Sequence, residues 1–481
     1  RETVITGTFT GNPDVKNLFY DVPLSGTSYG GFRDTLHLDE AGNFELKFAI
    51  NQPVFISIRC IEPYMAAKIL IEPGNTYRIA MDISEKDVQI SGANEKGQML
   101  YASLPNPFFI ELEAEKLKLQ NDTSLVSIHA KVEDLKQSDM SKFRELLDKG
   151  EISKSFFDLI KIDRDCYYAS LEAIVSVIKS YEMVETKQFE LPSGENVLDN
   201  LRKIYTQYPP NSEQLIFSSF WHEYAEHYVK NYSLFIKEDF DAQKIRDLYE
   251  NGMIHTFIIN ESKNSLTIGN VLEFFQATYL YFTSLHADHE KELIALFEQF
   301  EKDYPNSKYA GYIKPLINEN VLYHQAVEKP FAENMRFLAG YETVCTLEEA
   351  IKPLKGKKIY IDIWATWCGP CKREFKHQQE LKKILDGQNI QQLYISIDED
   401  DQDLKWKECI KFYGLSGTHI RANRDLSMDL YKLFDRKAKG PNYNMSIPWY
   451  ITVDENGNTV KEHAKTPSEI VGNPEIIKEI F

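Results

Sequence analysis

The chain has 481 residues, a length that predicts about three domains. Because 43% of the residues are hydrophobic and 12% are aromatic, the chain is expected to fold rather than remain disordered. Its formal net charge of −18 disfavours partners such as nucleic acid and anionic lipid, which attract clustered Lys and Arg. No apolar run reaches the roughly 18 residues that a membrane-spanning helix needs.

Residues 1–98 are predicted to form a β-sandwich-like domain. About eight short apolar or alternating runs follow one another, from TVITGTF near the start to VQISG near the end. The turn signals GNPD, DEAGN and EPGN separate them. This pattern is typical of a small β-sandwich.

Residues 99–328 are predicted to form an all-α domain of eight or nine helices. Apolar residues recur there at spacings of three and four, as in EQLIFSSFWHEYAEHYVKNYSLFI. His222 and His227 are five residues apart, so they diverge around a helix and do not form the i, i+4 pair of a helical zinc site.

Residues 329–481 are predicted to form an α/β domain with central parallel strands. The buried-strand runs KKIYIDIW, IQQLYISID and PWYITVDENG alternate with helical stretches such as CKREFKHQQELKKIL. The segment VDENGN, with Gly457, predicts a hairpin into TVKEHA.

The cysteines limit the kinds of site that the chain can form. A four-cysteine zinc site needs a second close pair or a His pair, and the sequence has neither, so no metal is predicted. The unpaired cysteines are interpreted as small buried hydrophobic residues. The six are Cys60, Cys166, Cys345, Cys368, Cys371 and Cys409.

Cys368 and Cys371 lie between a predicted strand and a predicted helix. At a helix N-terminus the free backbone N–H groups and the macrodipole favour a thiolate. The pKa of Cys368 is therefore expected to fall from about 8.5 to roughly 3.5–7.5, as in other CxxC motifs. Cys371, one helical turn further on, is placed to resolve a mixed disulfide. Pro370 suits the first turn, where its missing N–H is no loss.

The strand IYIDI followed by WATWCGPCKREF resembles the thioredoxin superfamily. The longer context GKKIYIDIWATWCGPCKREF, SIDED and IPWYITVDENGNTV is similar to its TlpA/ResA-like branch of envelope thiol–disulfide oxidoreductases. This resemblance covers about residues 330–481 and implies a thioredoxin-like fold that works without a cofactor. A sandwich-like domain followed by helices resembles the larger multi-domain members of the branch.

By matching positions, the resemblance implies that Cys368 attacks the substrate and Cys371 resolves the intermediate. Asp362, six residues before Cys368, matches a buried acidic residue that helps take the proton from the resolving thiol. Ile447 and Pro448 match a cis-proline loop whose backbone pairs with an extended substrate. The alternatives are a polar strand-end residue for Asp362 and an ordinary strand-start proline for Pro448.

Residues around the motif complete the predicted substrate-binding set. Trp367 is expected to flank the site together with Gly369 and Pro370, whereas Trp364 is interpreted as a core residue. Trp449 stands where the family usually carries a small residue or Thr, and we expect it to crowd the substrate groove.

Other readings of the motif remain open. A peroxiredoxin needs Thr three residues before its cysteine, and that position here is Ala365. A copper-delivery protein of this fold has CxxxC rather than CxxC. A third alternative is an envelope binding or scaffold protein whose thioredoxin-like domain does not cycle, and a fourth is a pair of ordinary core cysteines.

The expected function is disulfide exchange in the reductase or isomerase direction, because Gly-Pro between the cysteines resembles the reducing end of CxxC centres. The expected partners are protein disulfides and an envelope electron donor, and a homodimer is a further expectation. The chain begins at Arg1 without Met, which we interpret as a removed targeting segment. The branch implies a periplasmic or envelope location, with a lipid anchor as one means of attachment.

Overall fold

The computed structural model describes residues 2–24, 31–61, 63–107, 109–185, 190–231, 242–286, 288–435 and 445–481. The chain divides into two compact units, Arg1–Asn320 and Val321–Phe481. The predicted domain boundaries at residues 98 and 328 stay predictions.

The first unit begins with strands at all the positions that the apolar runs predicted. They form two four-stranded sheets, ordered β4-β1-β7-β8 and β3-β2-β5-β6. Ile5 and Ile79 from the first sheet pack in one core with Ile56 and Ile69 from the second. The strands are β1 Thr3–Thr10, β2 Asn17–Asp21, β3 Arg33–His37, β4 Asn43–Phe48, β5 Val54–Cys60, β6 Met65–Ile71, β7 Thr76–Asp82 and β8 Asp87–Gly92.

Helices follow these strands, and the described residues contain eleven of them before residue 328 rather than the eight or nine expected. The 32-residue helix α4 contacts α2, α3, α5 and α6. The helices are α1 Glu95–Ala102, α2 Ile110–Lys116, α3 Leu125–Asp148, α4 Lys154–Glu185, α5 Val197–Gln207, α6 Trp221–Asn231, α7 Ala242–Glu250, α8 Ile254–Ser265, α9 Gly269–Leu285, α10 Glu292–Asp303 and α11 Ala310–Val327.

The run 213–236, which shows helical spacing in the sequence, is divided in the structure. A 3₁₀ turn at Leu215–Phe217 precedes α6. Ser218 and Ser219 interrupt the helix because both donate hydrogen bonds to the buried carboxylate of Asp163. The end of the run, 232–236, lies outside the described residues.

The second unit is a six-stranded sheet flanked by helices, ordered β14-β13-β10-β11-β12-β9. The pairs β10/β11, β11/β12 and β12/β9 are parallel, whereas β13 runs antiparallel to both β10 and β14. The strands are β9 Met335–Phe337, β10 Ile359–Trp364, β11 Gln391–Ser396, β12 Gly417–Arg421, β13 Trp449–Val453 and β14 Thr459–Lys461. The helices are α12 Leu347–Ile351, α13 Gly369–Glu374, α14 Gln378–Gly387, α15 Asp403–Tyr413, α16 Arg424–Phe434, α17 Pro467–Gly472 and α18 Ile477–Ile480.

The predicted α/β order is present in this unit, and the hairpin at VDENGN joins β13 to β14 as expected, with Gly457 at a φ of 89°. The predicted helix after Cys371 is divided, because a 3₁₀ turn at Phe375–His377 separates α13 from α14. Among the described residues, no helix combines the length and apolarity needed to cross a membrane.

Candidate active site

Strand β10 ends at Trp364, just before the CGPC motif. All six of its residues are buried, since it lies between β11 and β13 in the middle of the sheet. Side chains alternate along a strand, so Tyr360, Asp362 and Trp364 share one face. Trp364 has no exposed surface and packs edge-on against Phe375 at 5.1 Å, which agrees with its interpretation as a core residue.

The two cysteines of the CGPC motif form a disulfide, with their Cα atoms 5.3 Å apart. Cys368 is the N-cap of α13, as the strand-to-helix pattern predicts, and the amide of Cys371 donates to its Sγ at 3.2 Å. Cys371 is completely buried, and Cys368 is 3% exposed. The cysteine nearer the surface is therefore the one expected to attack, and the buried one is expected to resolve.

An exposed rim surrounds Cys368. Trp367 is 63% exposed, and Gly369 and Pro370 are also exposed. A large exposed indole beside an otherwise buried sulfur offers an apolar contact to a docking chain. These three residues stay predictions as substrate contacts.

The loop before Cys368 is anchored by Asp398, a residue to which the sequence pattern assigned no role. Its buried carboxylate accepts hydrogen bonds from the amide of Thr366 at 3.0 and 2.9 Å and from the Thr366 hydroxyl at 2.7 Å. Ser396, at the end of β11, donates to the same carboxylate at 2.6 Å. Asp398 lies in the SIDED segment, which the sequence analysis had singled out. Its contact with Thr366 could not be predicted, because the two residues are 32 positions apart.

Asp362 is completely buried on β10. Its Oδ2 accepts a long hydrogen bond of 3.4 Å from Gln378 Nε2, and its Oδ1 has no hydrogen-bond partner within the described ranges. Burial raises the pKa of Asp362 well above its ordinary value, and the nearby negative charge of Glu374 raises it further. A carboxyl in this setting holds its proton to a higher pH than an exposed carboxyl does.

Gln378, the first residue of α14, is a second residue that the sequence analysis missed. Its Oε1 accepts from Gln392 Nε2 at 2.7 Å and from the Tyr394 hydroxyl at 2.8 Å. These two donors orient the amide so that Nε2 points to Asp362. The partners are 14 and 16 residues away in sequence, so only the fold brings them together.

The Ile447–Pro448 peptide bond is cis. Trp449 follows it as the first residue of β13, but it is only 3% exposed and packs against Phe434 at 5.0 Å. Its Nε1 donates to the carbonyl of Glu462 at 2.5 Å. The expectation that Trp449 crowds an open groove is therefore wrong, because its ring fills the core of the unit.

The remaining cysteines differ from the motif pair. Cys60, Cys166 and Cys409 are buried, whereas Cys345 is partly exposed. Burial raises the pKa of Cys409 to about 12 and raises that of Cys166 as well, so both thiols stay protonated at neutral pH. In the part of the chain that the structure describes, no cluster of His, Cys, Asp and Glu is arranged to hold a metal ion.

Comparison with known proteins gives a family match, curated relatives and similar solved structures. The Redoxin family model matches residues 341–476. The thiol-disulfide oxidoreductase ResA of Bacillus thuringiensis is 34% identical over 65 residues, which are 14% of this chain and 36% of that protein. ResA of Geobacillus thermodenitrificans is 25% identical over 114 residues, 24% of this chain and 58% of that protein.

A solved thiol:disulfide interchange protein of the thioredoxin family from Chlorobium tepidum is 21% identical, with 27% of this chain and 83% of that chain covered and a TM-score of 0.22. The chain spans less than two thirds of the length of the two ResA relatives. The Redoxin match includes the CGPC motif, so residues 341–476 are similar to Redoxin-family domains. The ResA relatives add a similarity to thiol-disulfide oxidoreductases of the TlpA/ResA-like group.

Proposed function

We propose that the protein is a thiol–disulfide oxidoreductase that acts on protein disulfides through Cys368 and Cys371. The observation that carries the proposal is the position of their disulfide at the start of α13, with Cys368 near the surface and Cys371 buried. The Redoxin match and the ResA relatives support the same activity.

In the proposed reaction, the reduced Cys368 thiolate attacks one sulfur of a substrate disulfide. A mixed disulfide forms, and the other substrate sulfur leaves as a thiolate that takes up a proton. Cys371 then loses its proton and attacks Cys368 Sγ. The Cys368–Cys371 disulfide forms, and the second substrate thiol is released. Two electrons pass to the substrate.

Asp362 is proposed to accept the proton of Cys371. Its raised pKa matches the requirement for a group that can take and return a proton near neutral pH. The buried environment that raises the pKa of Asp362 also excludes bulk water, so a buried carboxyl is a suitable acceptor for this proton. Gln378 acts through Asp362, as a positioning residue.

We further propose the reductase or isomerase direction, an envelope or periplasmic location and an envelope electron donor that re-reduces the disulfide. The Gly369-Pro370 dipeptide between the cysteines and the resemblance to the envelope branch support these points. Residues 1–328 are proposed to supply substrate binding or a homodimer contact, because the redox reaction itself needs only the carboxyl-terminal domain.

The test is a trapping experiment with the full chain and insulin as the disulfide substrate. We expect Cys371→Ser to accumulate a covalent adduct that dithiothreitol dissolves, since Cys368 attacks and nothing resolves it. Cys368→Ser is expected to form no adduct, and the buried-cysteine control Cys409→Ser is expected to reduce insulin like the wild type. A wild-type rate no higher than that of Cys368→Ser would favour the non-cycling scaffold alternative.

A further inference from the structure

A cavity of about 560 Å³ lies within the first unit, between its second sheet and the segment that leads into α6. Strands β5 and β6 contribute Arg59 and Lys68, and the helical side contributes Ser219, Phe220 and Glu223. Its size falls in the range of roughly 300–1,000 Å³ that small-molecule sites occupy. Its described lining residues all belong to the first unit and include none of the residues proposed for the redox site.

Two ion pairs beside the cavity are internally neutral. Asp21 and Arg59 form a buried pair. Asp163 and Arg164 form a second, completely buried pair at 3.0 Å. Both oxygens of Asp163 are occupied, because Ser218 and Ser219 donate to Oδ1, while Tyr101 and Arg164 donate to Oδ2.

Lys68 provides a positive charge that contacts no carboxylate of the described residues, and its strongest charge interaction is with Asp163, which already has its own ion pair. Its ammonium lies 4.7 Å from the ring centre of Phe220 and 5.3 Å from that of Tyr101, and it donates to Ser219 Oγ at 2.5 Å. Within the described ranges, no Asp or Glu oxygen comes within 4.0 Å of it. The surrounding protein lowers the pKa of Lys68 to about 8, so most molecules still carry the charge at pH 7.

The other acidic group of the cavity does not compensate for this charge. Glu223 is 7% exposed and accepts from the amide of Ile110 at 3.0 Å. Burial raises the pKa of Glu223 to about 8, so it is mostly neutral at pH 7. Arg33 adds a further positive charge close enough to interact with both Arg59 and Asp21. The cavity is thus locally positive in a chain whose net charge is −18.

A partly buried ammonium that contacts no carboxylate among the described residues is costly, and an anion that enters the cavity lowers that cost. We propose that this cavity binds a small organic carboxylate, with the carboxylate paired to Lys68 and the apolar part packed against Phe220. The positive charge of Lys68 suits a carboxylate, and the apolar wall of the cavity favours an organic acid over inorganic phosphate. The apolar wall that includes Ile90, Ala102 and Pro107 suits a hydrocarbon or aromatic body.

The test is calorimetric titration of the full chain at pH 7 with phenylacetate and with its neutral isostere phenylacetamide. We expect saturable one-to-one binding of phenylacetate, at least about tenfold tighter than that of phenylacetamide, because only the acid pairs with the ammonium. Equal affinities, or no saturable binding of phenylacetate up to about 10 mM, would overturn the proposal. This comparison uses the wild type and does not depend on a variant that folds.

Lys68→Met keeps the length of the side chain among aromatic rings and removes its charge. We expect this variant to lose the preference for phenylacetate, while Lys47→Met, at an exposed Lys paired with Glu45, keeps it. A preference retained in Lys68→Met would contradict the assignment. Inorganic phosphate that displaces phenylacetate at equal concentration would contradict the choice of a carboxylate.

The carboxylate has two sources, a free acid and the C-terminus of a peptide. The dipeptide Gly-Phe and its C-terminal amide distinguish them in the same titration. If Gly-Phe binds more tightly than phenylacetate, and its amide does not bind, the ligand is a peptide terminus. If phenylacetate binds more tightly, the ligand is a free acid, and either order supports the site.

Discussion

The buried carboxyl of Asp362 couples folding of the carboxyl-terminal unit to pH. Its pKa is raised in the folded state, so the folded protein binds this proton more tightly than the unfolded chain does. The protonated form therefore favours folding below the unfolded pKa of about 3.9. Stability falls as pH rises from there towards the raised folded pKa, because burying the ionised carboxylate is costly.

We predict that Asp362→Asn increases the free energy of unfolding at pH 7 by about 1 kcal/mol or more, since each pKa unit is worth about 1.4 kcal/mol. The variant should also lose this part of the pH dependence and slow disulfide exchange. Urea unfolding between pH 5 and 9, followed by tryptophan fluorescence, measures the free energy of unfolding and its pH dependence. Of the five Trp residues, Trp364, Trp367, Trp406 and Trp449 lie in this unit, so they dominate the signal.

The control for that experiment is Asp386→Asn, at an exposed Asp that pairs with Lys382 on the surface of α14. Surface pairs contribute little, so this variant should unfold like the wild type. If Asp362→Asn proves less stable than the wild type at pH 7, the account of Asp362 is wrong.

The Asp398 anchor gives a second residue-level prediction. Asp398→Ala leaves the Thr366 amide and the hydroxyls of Thr366 and Ser396 without their acceptor, which should cost about 3 kcal/mol of stability. Asp401→Ala, at an exposed residue three positions on, should have almost no effect. The same urea titration measures both, and equal midpoints would show that Asp398 does not anchor the loop.

At the scale of elements, strand β13 connects Pro448 to the core. Trp449→Phe removes the hydrogen bond to the Glu462 carbonyl and part of the ring, so we predict a loss of about 1–2 kcal/mol. The next residue supplies a matched control. The buried hydroxyl of Tyr450 has no hydrogen-bond partner in the described part of the chain, so Tyr450→Phe should be neutral or stabilising. Equal losses in the two variants would contradict this account.

Elements with a clear period or a long apolar run could be predicted from the sequence, and some shorter ones could not. Strand β10 is an unbroken buried run, and α4 shows helical spacing over 32 residues. Strands β9 and β12 were missed because they have only three and five residues, and β12 carries polar side chains such as His419. Gly417 opens β12 where a Cβ would lie 2.7 Å from the carbonyl oxygen of Gln392, a contact that no local pattern reveals.

The candidate site shows the same division. Cys368 and Cys371 could be predicted from the contiguous CGPC motif. The cis bond before Pro448 could be predicted from the short segment that begins IPWYITV. The partners of Asp362 and Thr366 do not follow from a motif, because only the folded chain brings residues 16 and 32 positions apart into contact. Lys68 likewise meets Ser219 from 151 residues away.

At the scale of the whole molecule, the end of α11 belongs to the redox unit. Tyr323 donates to Glu408 at 2.8 Å, and Lys411 donates to the carbonyl of Val327 at 2.8 Å. We therefore predict that a fragment 321–481 is about 2–4 kcal/mol more stable than a fragment 329–481, which lacks both contacts. Chemical unfolding of the two fragments measures the difference, and equal stability would contradict it.

The fragment 321–481 also tests the role proposed for the rest of the chain. We expect it to keep the redox potential of the dithiol, which is set within the unit, but to reduce protein disulfides more slowly than the full chain. A small disulfide such as oxidised glutathione serves as the control substrate and should react equally with both. Equal rates on protein disulfides would remove the support for substrate binding by residues 1–328.

The most direct test of the central claim is the redox titration of Cys368 and Cys371 in the full chain, by equilibration in thiol buffers and trapping of free thiols. The account predicts a reversible two-electron transition below about −200 mV, in which exactly these two thiols appear while Cys60, Cys166, Cys345 and Cys409 stay reduced throughout. A midpoint near about −120 mV would contradict the reductase direction. A pair that cannot be reduced and reoxidised would contradict the enzyme itself.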